Sequence, residues 1–133
     1  PFLGICMGLQ LLFETGWEGG QHDGLGVFAG AVSRFECSDD LKVPHMGWNQ
    51  VKWREGSHLS QVVSRNAQQP EFFYFVHSYC VQPSDSSIVA AETDYGGMFC
   101  SAVSRGRLLA TQFHPEKSQS VGMRLLKYFI EHV

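Results

Sequence analysis

The stretch Gly4-Ile5-Cys6-Met7-Gly8 constrains this chain more than any other. The apolar run before it, Phe2 to Ile5, reads as a strand, and Met7 to Glu14 reads as a helix with Gly16 as its stop. Cys6 alone must then turn the chain from sheet to helix. Such a turn is sharp and crowded, and glycines two residues to either side leave room for neighbouring backbone. A thiol on it stands clear of the sheet end, in the arrangement of a nucleophile elbow. A helix starting directly behind the sulfur favours the thiolate through its free N–H groups and its positive end. The Met7 N–H is placed to donate to an oxyanion formed beside Cys6. The same residues also describe a buried cysteine at a strand end, acting as a small hydrophobe.

A base for that thiol stands far downstream. Leu108 to Phe113 reads as a buried strand running into His114-Pro115-Glu116. In extended backbone, residues two apart face the same way, so His114 and Glu116 project together, with Pro115 ending the strand between them. A cysteine nucleophile needs a base whose second ring nitrogen is held by an acid. Taken alone, His-Pro-Glu reads as an exposed turn. The elbow upstream is what turns it into a candidate base and orienter.

The remaining composition excludes several classes. Hydrophobic residues make up 44% and charged residues 17% of the 133 positions, which is too apolar for a disordered chain. A net charge of −3 with scattered Lys and Arg leaves no basic footprint for nucleic acid. No apolar run reaches the roughly 20 residues that span a bilayer. Cys6, Cys37, Cys80 and Cys100 form no C-x-x-C pair, and the His residues lack zinc-ligand spacing, so no metal site is implied. Cys37, Cys80 and Cys100 read as packing residues in a reducing, cytoplasmic setting. His22, His58 and His132 read as surface or loop positions.

Between the ends the chain is rich in strands. Gly26 to Phe35 reads as a strand or hairpin, and Val43 to Trp53 as a loop that becomes a strand with Val51 and Trp53 alternating. Phe72 to Val81 reads as one strand buried on both faces. Strands at Ile88 to Glu92 and Met98 to Ser104 follow, with turns at Asp94 to Gly97 and Ser104 to Arg107. Val121 to Val133 is an amphipathic helix, with Leu125, Leu126, Phe129, Ile130 and Val133 on or near one face.

Cys6 in its elbow, Gln10 one helical turn on, and Gln112-Phe113-His114-Pro115-Glu116-Lys117-Ser118 together resemble the class I, triad-type glutamine amidotransferases. Within that family, Pro44-His45-Met46-Gly47-Trp48-Asn49 and Tyr74-Phe75-Val76-His77-Ser78-Tyr79 resemble the branch that serves imidazole glycerol phosphate synthesis. The resemblance implies an α/β fold, a flavodoxin-like open sheet with flanking antiparallel strands. It implies one domain over 1–133, the C-terminal two-thirds of an amidotransferase domain. The first strands and helices, and a glycine-rich loop giving the second oxyanion donor, would lie upstream.

The same resemblance assigns roles. Cys6, His114 and Glu116 form the triad, and Met7 gives an oxyanion donor. Gln10, Glu18 and the backbone around His77, Ser78 and Tyr79 hold L-glutamine. His45, Met46, Trp48 and Asn49 face a (β/α)8-barrel cyclase in a heterodimer, with ammonia passing between subunits in histidine biosynthesis. No cofactor, nucleic acid or membrane is implied. From the residues alone, Gln10 and Glu18 are equally exposed polar positions, His77 and Tyr79 are packing residues, and His45, Met46 and Trp48 form a surface patch, the alternative being a strand-capping loop with a packed Trp48. The anthranilate, aminodeoxychorismate and GMP branches share the catalytic set. A partner-binding fragment without activity is the remaining alternative.

Overall fold

A computed structural model describes residues 1–36, 41–55, 57–64 and 71–133. The expected elbow strand is β1 (Phe2–Ile5), and the helix behind it, α1, covers only Met7–Gln10. The expected helix to Glu14 is a correction. Leu9, Leu12 and Phe13 are buried, and the chain straightens into β2 (Phe13–Gly16) to put them there. The carbonyls of Leu11, Leu12, Phe13 and Glu14 are taken by the N–H groups of Leu25, Phe28, Gly26 and Gly24 rather than by a next helical turn. Gly16 therefore ends a strand, not a helix. This competition for carbonyls comes from residues ten or more positions away, which local periodicity does not register.

The two-residue β3 (His22–Asp23) pairs back on β2, and β4 (Phe28–Arg34) runs parallel to β2 on its other side. β5 (His45–Trp53) is a strand through the whole Pro-His-Met-Gly-Trp-Asn segment after Pro44, where a loop was expected. Its pairing with β6 (Glu71–His77) runs unbroken from His45↔His77 to Val51↔Glu71, and this ladder is what extends it.

The single strand expected over Phe72 to Val81 is two. β6 ends at His77, and β7 (Tyr79–Pro83) starts after a bend at Ser78 and pairs with β4 instead. β6 alternates, with Phe73, Phe75 and His77 buried while Phe72 is half-exposed, so it is covered on one face only. The sheet continues through β8 (Val89–Asp94), β9 (Met98–Arg105) and β10 (Leu108–Thr111). The order is β3-β2-β4-β7-β9-β8-β5-β6, with β10 joining β9 and β1 lying parallel to β10.

β9 and β10 are the centre. Ala102 and Leu109 fall in one apolar cluster and Val103 and Ala110 in another, so both faces are covered there. One cluster holds Trp53, Phe73, Phe75, Phe99, Phe113 and Leu125; the other holds Leu9, Leu12, Phe13, Phe28, Val32 and Val81. Cys80 and Cys100 are packing residues, as expected, while Cys37 lies outside the described residues.

Two helices cover the first cluster. α2 (His58–Val63) was not foreseen; Ser57 caps it by accepting from the Ser60 N–H at 3.1 Å, and Leu59 and Val63 point inward. It is too short for a strong periodic signal. α3 (Gln119–His132) buries Val121, Gly122 and Leu125, whereas Ile130 is 81% exposed and does not belong to its inner face. Arg124 ties these parts together, reaching the Val63 carbonyl at 3.0 Å and Glu71 at 2.6 Å.

The elbow glycines are not equivalent. A Cβ on Gly4 would stand 2.7 Å from the Gly8 carbonyl oxygen and 3.0 Å from the Ala110 Cβ, whereas a Cβ on Gly8 meets nothing within 4 Å. Gly4→Ala should therefore cost about 2 kcal/mol or more by overpacking backbone. Gly8→Ala should be neutral or stabilising by up to about 1 kcal/mol. Urea denaturation of the two variants checks the asymmetry.

Candidate active site

β1 and β10 carry the two halves of the candidate site side by side. Their parallel register places Ile5 against Thr111, and the Cys6 N–H donates to the Thr111 carbonyl at 2.7 Å. Cys6 itself has φ 52° and ψ −104°, the left-handed side of the map for a residue with a Cβ. Strain of this kind costs on the order of 1–3 kcal/mol and persists where surrounding structure holds it. The turn expected from the sequence is therefore made by Cys6 alone.

The sulfur is half-buried. Cys6 Sγ lies 3.9 Å from the Val76 carbonyl, and Gln112 Nε2 donates toward it at 3.7 Å. Burial raises the thiol above its ordinary value; the Met7 N–H and the Gln112 amide pull it back, and the Glu116 and Glu18 carboxylates push it further up. This corrects the expected thiolate. α1 is a single turn, too short for a full dipole, and desolvation of the sulfur outweighs the donors it receives.

The candidate base and its candidate orienter do meet. His114 Nδ1 lies 2.6 Å from Glu116 Oε1. The cause differs from simple strand alternation, because Pro115–Lys117 forms a 3₁₀ turn capped by His114. The turn is anchored twice to β6: the His114 N–H donates to the Tyr74 carbonyl at 2.9 Å, and the Tyr74 N–H donates to Ser118 Oγ at 3.0 Å. α3 packs so closely behind it that a Cβ on Gly122 would overlap the Pro115 carbonyl oxygen.

His114 Nε2 is buried without a hydrogen-bond partner among the described residues. The structure thus does not join His114 to Cys6 by a hydrogen bond. Catalytic pairs are often loose without substrate. A buried ring nitrogen left unpaired is costly, and few survive without a use.

The other expected residues fall into two groups. Met7, Gln10, Trp17, Glu18, His22 and Val32 line a cavity of about 200 Å³ beside α1. Gln10 Nε2 donates to the Tyr79 carbonyl at 3.1 Å and to Gln112 Oε1 at 3.2 Å, so its amide is already held in place. Ser78 makes the bend between β6 and β7, and its carbonyl accepts from the Phe35 N–H at 3.1 Å.

The strand pleat splits the expected partner-facing set. Met46 and Trp48 stand outward, 61% and 48% exposed, while His45 is only 3% exposed. His45 is thus an interior residue and not a surface contact. It stacks on Tyr95 and Phe75, and its Nδ1 lies 2.9 Å from His77 Nε2. Asn49 lies on the same inward face and reaches both His45 Nε2 and the Asp94 carbonyl. Two residues had no assigned role in sequence and matter here. Gln112 and Ser118, both fully buried, stand in the His-Pro-Glu segment, and two polar positions flanking a candidate base were their only signal. Among the described residues, no three His, Cys, Asp or Glu side chains are placed to hold a metal ion. No described helix is long and apolar enough to cross a membrane.

Burial lowers both His45 and His77 to about 4, so each is neutral in the folded state at neutral pH. In the unfolded chain they titrate near their ordinary 6.5. The unfolded state then binds more protons as pH falls, so stability from these groups is complete above about 6.5 and is lost toward about 4. The melting temperature should fall across that window, and less steeply in a His45→Gln/His77→Gln variant. Thermal melts of both proteins from pH 7 to 4 check this.

The whole of residues 1–133 matches the profile of the family described as glutamine amidotransferase class-I. The chain is 57% identical to the imidazole glycerol phosphate synthase subunit HisH of Rhodopirellula baltica, over 97% of this chain and 60% of that protein. It is 53% identical to the same-named subunit of Syntrophotalea carbinolica, over 97% of this chain and 63% of that one. The chain thus spans about three-fifths of the length of the curated relatives it matches. Among solved structures, it superposes on a glutamine amidotransferase with a TM-score of 0.63 at 20% identity, over 97% of this chain and 58% of that one. The mixed sheet with few helices is the fold of that group, and the chain belongs to the class-I glutamine amidotransferase family.

Proposed function

We propose that this chain is the glutaminase part of an imidazole glycerol phosphate synthase, hydrolysing L-glutamine and passing ammonia to a (β/α)8-barrel cyclase in histidine biosynthesis. It forms the C-terminal two-thirds of that domain and works in the cytoplasm. One observation carries the reading. A strained Cys6 at an elbow ends the strand next to the one that leads to a His114–Glu116 pair at 2.6 Å. The relatives named as subunits of that synthase support the choice of branch.

In the proposed reaction, glutamine enters the cavity beside α1 with its ammonium against Glu18, and its amide passes the Met7 end of the lining to reach Cys6, the preceding residue in the chain. Neutralising Glu18 removes one of the charges that hold the thiol up. His114 Nε2 takes the thiol proton, while Glu116 fixes the other nitrogen. The sulfur attacks the amide carbon, and the Met7 N–H donates to the oxyanion. His114 returns the proton to the departing ammonia. Water then cleaves the thioester, giving glutamate and the free thiol. Gln10 and the His77-Ser78-Tyr79 segment border the substrate. Met46 and Trp48, exposed on β5, face the cyclase. A second reading, a partner-binding chain without turnover, draws on the unjoined Cys6 and His114. Glutamate release measured with and without the cyclase separates the two.

Cys6→Ala should abolish glutaminase activity and leave ammonia-dependent synthesis by the partner intact. His114→Ala should lose nearly all activity, and Glu116→Gln should retain more, because an orienter contributes less than the base. A glutaminase assay of the three variants checks the order, and full activity of Cys6→Ala would remove the nucleophile assignment. Trp48→Ala should weaken cyclase binding with little change in melting temperature, since Trp48 is half-exposed and meets Tyr74 edge-on. Titration of the variant against the cyclase checks this, and unchanged affinity returns Trp48 to a packing role.

A further inference from the structure

A continuous run of polar groups, with His45, His77 and Gln112 buried and the rest half-buried, crosses the molecule from β5 to the sulfur. Asn49 Nδ2 lies 2.9 Å from the Asp94 carbonyl and 3.2 Å from His45 Nε2. His45 Nδ1 lies 2.9 Å from His77 Nε2, and His77 Nδ1 lies 2.8 Å from the Tyr79 carbonyl. The same carbonyl accepts from Gln10 Nε2, which also reaches Gln112 Oε1, and Gln112 Nε2 points at Cys6 Sγ.

Every proton in this run has its place forced. The Gln50 N–H donates to Asn49 Oδ1 at 2.7 Å, so the other arm of Asn49 is the amide nitrogen, a donor to both its partners. His45 Nε2 must then accept, which puts the proton on His45 Nδ1, facing His77 Nε2. At the far end a carbonyl only accepts, so His77 Nδ1 carries its proton toward Tyr79. The two ends fix the same direction independently. The Tyr79 carbonyl likewise makes the near arm of Gln10 its nitrogen. That makes the near arm of Gln112 its oxygen, leaving a Gln112 N–H for the sulfur.

We propose that Gln112 is a positioning residue for the nucleophile, supplying a side-chain donor to the Cys6 sulfur, and that Asn49, His45 and His77 act through Tyr79 and Gln10 to hold it there. The inference rests on the reading of Cys6 as nucleophile only for its catalytic use; the donor and the chain stand on the geometry. A buried glutamine serving packing alone has no need of a directed partner set, and an apolar residue would fill the same volume at less cost.

The test follows alkylation of Cys6 by iodoacetamide against pH in the intact protein, resolved to Cys6 by mass spectrometry. Gln112→Met keeps the volume and removes the donor. Gln112→Glu keeps the acceptor for Gln10 and puts an oxygen against the sulfur. Both leave Glu18 and Glu116, the charges that face the thiol, in place. Each should move the midpoint of the alkylation profile upward and slow the reaction at neutral pH by about tenfold, the factor for one hydrogen bond to a charged group. His77→Leu should move it the same way, and His77→Asn, which keeps a donor for the Tyr79 carbonyl, should restore it. Nitrogen-15 histidine spectra of the unmodified protein should show His45 and His77 protonated on Nδ1 alone. Unchanged alkylation in Gln112→Met, or an Nε2-protonated form of either ring, overturns the proposal even if other variants fail to fold. Loss of the functional reading would show separately, as glutaminase activity surviving in Cys6→Ala with the alkylation result unaffected.

Discussion

The short parallel pairing of β1 with β10 is the constraint on which the site depends. Cys6 and Gln112 are 106 positions apart in sequence, and only this ladder brings them to one sheet end. Its last bond, from the Cys6 N–H to the Thr111 carbonyl, fixes the backbone where φ turns positive. From that point the chain on one side enters α1, and on the other leads through Gln112 and Phe113 to His114. Gly4 lets α1 lie close enough for this to happen. Parallel strands need a long crossover, and the crossover here is nearly the whole chain. The site therefore exists only when the fold is complete, which couples chemistry to global stability.

The elbow and the His-Pro-Glu segment were legible because their information is local. Two flanking glycines, one cysteine, and a proline between a base and an acid act through neighbours in sequence. The strand at Phe2–Ile5, the turns at Gly96-Gly97 and Gly106, and the terminal helix were legible for the same reason. What failed was decided across the sheet. Met7 to Glu14 has helical spacing, yet four of its carbonyls find partners in the 24–28 loop, and burial of Phe13 outweighs another turn. The aromatic run from Phe72 looks continuous. Whether it is one strand or two depends on β4 and β5, each offering a different edge. The family resemblance groups His45 and Asn49 with Trp48, whereas the two-residue pleat of β5 sends them to the opposite face.

The electrostatics of the site were the least legible, because burial and donors pull in opposite directions. The sequence supplies a helix behind the thiol, which argues for a thiolate. The fold shortens that helix and encloses the sulfur, and desolvation wins. A raised thiol is compatible with the proposed reaction, in which a base takes the proton from the sulfur as it attacks.

The two electronic demands on the site are met by different parts of the sheet. The His114–Glu116 pair is anchored to the middle of β6 through Tyr74, while the donor to the sulfur is anchored to the end of β6 and to β7 through His77 and Tyr79. Both anchors belong to one strand, and that strand is zipped to β5 over its entire length. A displacement of β5 against its neighbours would therefore reach the base and the sulfur together rather than one of them alone. Exposed Met46 and Trp48 lie on the outer face of the same β5 whose inner face carries His45 and Asn49. One strand thus places an exposed apolar surface directly behind the side chains whose hydrogen bonds lead to the Cys6 sulfur, with no intervening loop.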